Sequence, residues 1–325
     1  MIYCKSLIFF FVATVLFGLS HFSGVEAETT RYKLEPDMIA SGVFVFWGKQ
    51  ESFSRENGAN IVNTGFIVGR DAILAIDTGP TRLYAEEMIE AIKAVSPLPI
   101  RHAVVTHHHG DHAFGIQTFK KNNINILMHP KAKNLLAEEG AVLFGYLENL
   151  IGLDWTAGTE VDLPTSLLEK ERMIDLGERT VLIIPYEGGH TPGDLVIYDT
   201  TSKTLFAGDL VFNGRAATIP HADISTWLDH LDTLEKQDWE SLIPGHGPLL
   251  SKNQALDSTR TYLAFLRETA GAAISKGTTL AEIMTTVIPS PFDQLATVNS
   301  EFLRAMTTLF RQLEDEQFKS SPSTK

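Results

Sequence analysis

The sequence holds a single cysteine, Cys4, and it lies ahead of a hydrophobic stretch at the N-terminus. Once that segment is removed, the chain is expected to be cysteine-free. This excludes a disulfide framework, a thiol nucleophile and thiolate metal ligands. Positive charge is also scarce: 27 Lys and Arg stand against 40 Asp and Glu, a formal net charge of −13. That balance argues against nucleic acid or an anionic membrane as a partner. It leaves a small-molecule substrate open, because a local site can still be cationic. No G-x-S-x-G nucleophile elbow occurs, so nothing points to a serine hydrolase.

The N-terminus reads as a processing segment. Lys5 supplies positive charge, Leu7–Leu19 is an apolar run too short to span a bilayer comfortably, and Val25-Glu26-Ala27 suits a signal peptidase. No Arg-Arg pair marks twin-arginine export. Residues 1–27 are therefore expected to be a signal peptide and 28–325 the mature domain. An exported, acidic, cysteine-free protein fits an oxidising compartment such as the bacterial periplasm.

What the chain does have is histidine, concentrated in Thr106–His112, T-H-H-H-G-D-H. Ala103-Val104-Val105 before it is apolar and β-prone, so His107 is expected at the end of a buried strand. Residues two apart on an extended backbone face one side, which pairs His107 with His109 and turns His108 away. Gly110 permits a tight turn that swings Asp111 and His112 back. Imidazole and carboxylate donors on one short loop suit Zn²⁺.

Taken in order, residues 28–40 read as an irregular lead-in, and Gly42–Trp47, Asn60–Val68 and Ala72–Ile76 as strands. A helix is predicted over Thr81–Val95, another over Ala113–Lys121, a short strand at Ile124–Met128, and a helix from about Pro130 to Glu139. Gly140–Lys170 breaks the rhythm and reads either as a lid over the site or as a packed connector. Strands are then predicted at Met173–Leu176, Thr180–Pro185, Leu195–Asp199, Thr204–Ala207 and Ser241–Ile243, with an amphipathic helix at Asp223–Lys236. The tail from Ser251 on reads as mainly helical, broken near Pro289-Ser290-Pro291. Strands alternating with helices in two halves predict an α/β protein: two β-sheets face to face with helices outside.

Further donors stand at strand ends in the second half: His190 in G-G-H-T-P-G-D, Asp209 in G-D, and His246 in P-G-H-G. Each follows an apolar run and each has glycine beside or near it, so loop backbones can crowd around a small centre. The set H-x-H-x-D-H, G-G-H-T-P-G-D, G-D and P-G-H-G resembles the metallo-β-lactamase superfamily. The resemblance covers nearly all of the mature chain, least surely after Ser251. It implies an αββα sandwich with two mixed sheets and metals at one edge. It also implies two zinc ions, one on His107, His109 and His190, the other on Asp111, His112 and His246, with Asp209 bridging. Many true β-lactamases lack that bridge, whereas thioesterase-like and lactonase-like relatives have it.

Finer features, Ser54–Phe66 (S-R-E-N-G-A-N-I-V-N-T-G-F) and Pro220-His221-Ala222-Asp223, resemble the branch known as quinoprotein relay system zinc metallohydrolases. That branch is exported and associated with quinoprotein-dependent oxidation.

Physical chemistry adds the reaction. A zinc pair lowers the pKa of a shared water and polarises a carbonyl, so the expected function is hydrolysis of an ester-, thioester- or amide-like bond in a small molecule. Asp111 is the candidate for orienting the nucleophile. Asp77 and Thr106 are candidates for holding the outer nitrogens of the metal-bound histidines. Arg215 and His221 are candidates for contacting an anionic substrate. The rival readings are a mononuclear-iron, persulfide-type oxidoreductase built on the same donors, a β-lactamase, and a non-catalytic cofactor-binding protein. The cleavage expectation is directly testable: N-terminal sequencing of exported material should begin at or near Glu28, and retention of Met1 contradicts it.

Overall fold

The computed structural model describes residues 30–252 and 256–320. The signal-peptide expectation for residues 1–27 lies outside the described residues. The first sheet has seven strands in sequence order: β1 (Asp37–Ala40), β2 (Val43–Phe46), β3 (Thr64–Val68), β4 (Ile73–Ile76), β5 (Ile100–Val104), β6 (Asn125–Met128) and β7 (Ser166–Leu167). Pairing is antiparallel through β4 and parallel from β4 to β7. The second sheet holds β8 (Arg172–Asp175), β9 (Thr180–Tyr186), β10 (Asp194–Asp199), β11 (Thr204–Phe212), β12 (Ser241–His246) and β13 (Leu250–Ser251). In it only β11 and β12 run parallel.

Helices cover the outer faces. On the first sheet lie α1 (Arg82–Val95), the short α2 (Gly110–Ala113), α3 (Ile116–Lys121), α4 (Pro130–Ile151) and the short α5 (Leu153–Thr156). On the second lie α6 (Ile224–Lys236), α7 (Asp257–Lys276), the short α8 (Leu280–Ile283) and α9 (Val298–Ser320). The result is the αββα sandwich expected from the alternation of strands and helices. No helix among the described residues is long and apolar enough to cross a membrane.

Period-two alternation sorts side chains into three cores. On β4, Leu74 and Ile76 face the other sheet while Ile73 and Ala75 face the helices. On β10, Leu195 and Ile197 point inward and Val196 outward to α6 and its neighbours. Both faces are buried, so these strands read as continuous hydrophobic runs rather than polar alternations. Each such Leu, Ile or Val contributes about 1.5–3 kcal/mol on burial.

Several elements differ from expectation: β7, β13 and α5 were not expected, and β11 and β12 run on past their expected ends to Phe212 and His246. The lead-in contains a strand, β1, whose Asp37–Ala40 pairs with β2 as an exposed edge. The helix predicted over Ala113–Lys121 is two, α2 and α3, separated at Phe114-Gly115. The helix predicted to stop at Glu139 runs on as α4 to Ile151, so much of the unassigned 140–170 stretch is helical. Gly140 costs about 1 kcal/mol of helix propensity, but its bare backbone lets Val161 pack closely. The helix ends at Gly152, whose φ of +88° an L-residue resists.

Candidate metal centre

Most donors arrive from strand ends on one edge of the sandwich; Asp209, expected at a strand end, lies within β11, which runs past Ala207 to Phe212 with an irregularity at Gly208. β5 runs into Thr106, whose N–H and hydroxyl both donate to Asp77 Oδ1, at 2.7 and 3.0 Å. Asp77, just past β4, holds a left-handed φ of +58°, unusual for a residue with a side chain, so its carboxylate can reach back. His109 starts α2 from an extended backbone, and α2 lifts Asp111 and His112 to the same side. The Thr78 N–H and hydroxyl grip the His112 carbonyl at 2.8 and 2.9 Å. His190 sits in the β9–β10 hairpin, where Asp194 accepts from the Thr191 N–H (3.0 Å) and hydroxyl (2.7 Å), which explains the H-T-P-G-D spacing. The side chain of Asn63 donates to the carbonyls of Pro244 and Gly247 (2.9 and 2.8 Å) and pins the loop bearing His246. Gly245 is required: a Cβ there would collide with Asp209 Oδ1 and the backbone beside it.

Seven inward donors form two groups that meet at Asp209. His107 Nε2 and His190 Nε2 each lie 3.0 Å from His109 Nδ1. In the second group, His112 Nε2 and His246 Nε2 lie 3.7 and 3.4 Å from Asp111 Oδ2. Asp209 Oδ2 is 3.3 Å from both His190 Nε2 and His246 Nε2, and its Oδ1 is 3.2 Å from His112 Nε2. The ligand atoms of each group lie within 4.8 Å of one another. His112 Nε2 and Asp209 Oδ1 are buried with no hydrogen-bond partner among the described residues. Unpaired buried polar atoms are costly. Nitrogens about 3 Å apart, aimed at a common point, match the ligand spacing of a four-coordinate ion with bonds of about 2.0–2.1 Å. The residues therefore fit a pair of metal ions.

The outward nitrogens decide the tautomers. His112 Nδ1 donates to Asp77 Oδ2 at 2.8 Å, and His246 Nδ1 donates to the Ile61 carbonyl at 2.7 Å. His107 Nδ1 lies 3.1 Å from the Thr106 hydroxyl, which has given its own proton to Asp77. Each contact turns Nε2 inward, and in the neutral ring that atom carries the lone pair.

Burial holds His107 and His109 well below the usual imidazole range and pushes His190 down to about 3. Neutral imidazole is the metal-binding form. Burial opposes a charge on His112 too, but Asp209, Asp77 and Asp111 outweigh it and raise that residue well above its ordinary value. Burial likewise disfavours charge on Asp209, and His246 and His112 outweigh that, holding its carboxylate well below the usual range.

A cavity of about 270 Å³ opens beside the two groups. One wall is apolar, with Phe53, Ile61 and Phe114 facing Leu143, Leu147 and Leu150 of α4. Arg215, Glu301 and Arg304 also line it. Arg215 is buried, its Nε has no partner among the described residues, and its guanidinium is 4.0 Å from Glu301. Arg304 also leans on Glu301, at 3.3 Å, so two guanidinium groups share one carboxylate.

The structure thus brings together His107, His109, Asp111, His112, His190, Asp209 and His246, sets Asp77 and Thr106 behind them, and puts Arg215 in the cavity wall. His221 is placed differently from expectation. It lines the cavity, but its Nδ1 and Nε2 are 3.0 Å from His109 Nε2 and Glu139 Oε2, so neither ring nitrogen is free for a substrate anion. His108 is fully buried with both ring nitrogens unpartnered among the described residues, and its ring lies against those of His109 and His221. Sequence reasoning missed Glu139, Asn63, Glu301 and Arg304. Glu139, Asn63 and Glu301 act on partners far away in sequence, which no short-range spacing signals, and Arg304 joins them through Glu301, three residues before it on α9.

A family model described as the metallo-beta-lactamase superfamily matches residues 57–246. The chain is 27% identical over 253 residues to the acyl-coenzyme A thioesterase MBLAC2 of Gallus gallus, covering 69% of this chain and 84% of that protein. It is 31% identical over 177 residues to the uncharacterized protein YobT of Bacillus subtilis (strain 168), covering 49% of this chain and 73% of that one. Among solved structures it is similar in fold to the metallo-beta-lactamase from Pontibacter korlensis, with a TM-score of 0.58, 21% identity, and coverage of 71% and 99%.

Asp77→Asn tests how the centre is held. It keeps the shape of the side chain but cannot accept from the Thr106 N–H, the Thr106 hydroxyl and His112 together. Zinc affinity, read by competition titration, is expected to fall about 10–100-fold. An unchanged affinity assigns Asp77 to the strand end alone.

Proposed function

The chain belongs to the metallo-β-lactamase superfamily and is a metal-dependent hydrolase, and from that premise we propose that it uses a pair of zinc ions to cleave an ester-, thioester- or amide-like bond of a small molecule. The observation that carries this reading is the sharing of Asp209 between two donor groups. His107, His109 and His190 would hold one ion, Asp111, His112 and His246 the second, with Asp209 touching both. When bound, such a pair acidifies water and polarises a carbonyl. Asp111, which lines the cavity, would accept a hydrogen bond from the attacking water and orient it toward the substrate. The apolar wall excludes bulk water and takes the acyl part of the substrate. Arg215, with Arg304 behind the shared Glu301, leaves excess positive charge to receive an anionic group.

Among the bonds open to such a site, the relatives named as acyl-coenzyme A thioesterases favour a thioester. The Ser54–Phe66 and Pro220–Asp223 stretches support a place in the quinoprotein relay branch. The Lys5, Leu7–Leu19 and Val25–Ala27 pattern supports export to the periplasm.

Hydrolysis of a thioester panel should stop on chelation and return with zinc. Arg215→Gln should raise KM for acyl thioesters bearing a terminal carboxylate by about 10–100-fold, the loss of a charge-assisted hydrogen bond of roughly 1.5–3 kcal/mol. Neutral acyl thioesters of equal length should be nearly unaffected. An equal loss on both classes removes Arg215 from substrate recognition.

A further inference from the structure

One chain of contacts is left over when the inward donors are assigned. Of the seven donors, only His109 is not fully buried; it sits at the rim of the cavity. The outer nitrogens of His107, His112 and His246 are held by Thr106, Asp77 and Ile61, all near strand ends of the first sheet. None of these holds His109. Its Nε2 lies instead 3.0 Å from His221 Nδ1, and His221 Nε2 lies 3.0 Å from Glu139 Oε2. His221 comes from the loop between β11 and α6, and Glu139 from the middle of α4.

The chemistry of the three groups runs in one direction. An ionised carboxylate only accepts, so the proton of the His221–Glu139 contact belongs to His221 Nε2. A neutral imidazole carries one N–H, so His221 Nδ1 is an acceptor. It can then only receive the proton of His109 Nε2–H. That leaves the lone pair of His109 on Nδ1, the atom that faces His107 Nε2 and His190 Nε2 at 3.0 Å. The His221 ring is also clamped sideways, with its centroid 4.7 Å from His108 and 5.2 Å from His109.

We propose that Glu139 and His221 form a relay that fixes the tautomer and orientation of His109, the ring whose Nδ1 faces His107 Nε2 and His190 Nε2. The proposal rests on the reading of His109 as a metal ligand. Glu139 and His221 are positioning residues: they act through His109. Because α4 also carries the Leu143, Leu147 and Leu150 wall, the relay ties the substrate-binding helix to one metal ligand. The ring that expectation placed on the substrate thus serves the metal.

Zinc should be titrated by competition into chelated wild type, His221→Ala, His221→Gln, Glu139→Ala and His109→Ala. His221→Ala and Glu139→Ala are expected to weaken one zinc equivalent about 10–100-fold and leave the other unchanged. In His221→Gln the side-chain carbonyl can accept the same proton, so most of the affinity should return. Equal loss in His221→Ala and His221→Gln would mean lost packing and overturn the relay. If His109→Ala loses zinc while His221→Ala and Glu139→Ala match wild type, the relay fails and the metal site stands. If His109→Ala also matches wild type, the ligand reading itself fails. A third equivalent abolished by His108→Ala would assign His108, His109 and His221 to another ion and overturn the relay. Nitrogen-15 spectra of the histidines in metal-free protein give a second readout. The His109 Nε2–H signal, identified by its absence in His109→Ala, should be present in wild type and lost in His221→Ala; its persistence in His221→Ala overturns the proposal.

Discussion

Asp209 places a carboxylate, 4% exposed, among imidazoles, and much of the molecule is arranged to make that tolerable. An uncompensated charge at such depth costs several kcal/mol. His112, whose protonated form the neighbouring carboxylates favour, supplies compensation at 3.2 Å when no metal is bound. A divalent ion on each side would supply more. The approach is so close that Gly245 and Gly208 are needed: one because a side chain would strike the carboxylate, the other because β11 there takes a φ of +52° against Thr106. Gly245 thus lets β12 lie close to β11 within the second sheet, and Gly208 lets β11 take the Thr106 side chain of the first sheet against its backbone.

The supporting residues follow from the same constraint. A centre made of neutral imidazoles works when each ring shows its lone pair inward, and a contact to the other nitrogen fixes this for His107, His112 and His246, while His190 Nδ1 is buried with no partner among the described residues. Asp77 accepts a backbone N–H, a hydroxyl and an imidazole N–H in one place, joining β4, β5 and α2. Asn63 does the equivalent for the loop of His246. The cavity then inherits a fixed floor, and the apolar face of α4 and Arg215 also line it.

Much of this was legible in the sequence because the signals are local. Inward donors sit next to glycines and follow β-branched runs, and H-x-H-x-D-H is a geometric statement about a strand end and one helical turn. The strands with both faces buried read clearly as apolar runs. α4 did not, because its apolar residues divide between core and cavity: Leu136 and Leu147 are buried, while Val142 and Tyr146 are exposed, which blurs the helical period. β1 was missed as a short, half-exposed edge. His221 was recognised as close to the site but given the wrong neighbour, because Glu139 lies 82 residues away and nothing in the local sequence announces it. Glu301 was invisible for the same reason: its partner Arg215 belongs to the other end of the second sheet's connections.

Asp209 is the one residue common to both donor groups among the described residues. Asp209→Asn keeps size and removes the charge, and zinc titrated into chelated wild type and variant reads the difference for each equivalent. Both equivalents should bind more weakly in the variant. The one held by Asp111, His112 and His246 should suffer more, since the other keeps three imidazoles. The loss should exceed the roughly 10–100-fold typical of a partner that only touches a ligand. Two equivalents taken up with the same affinities in both proteins would contradict the shared centre.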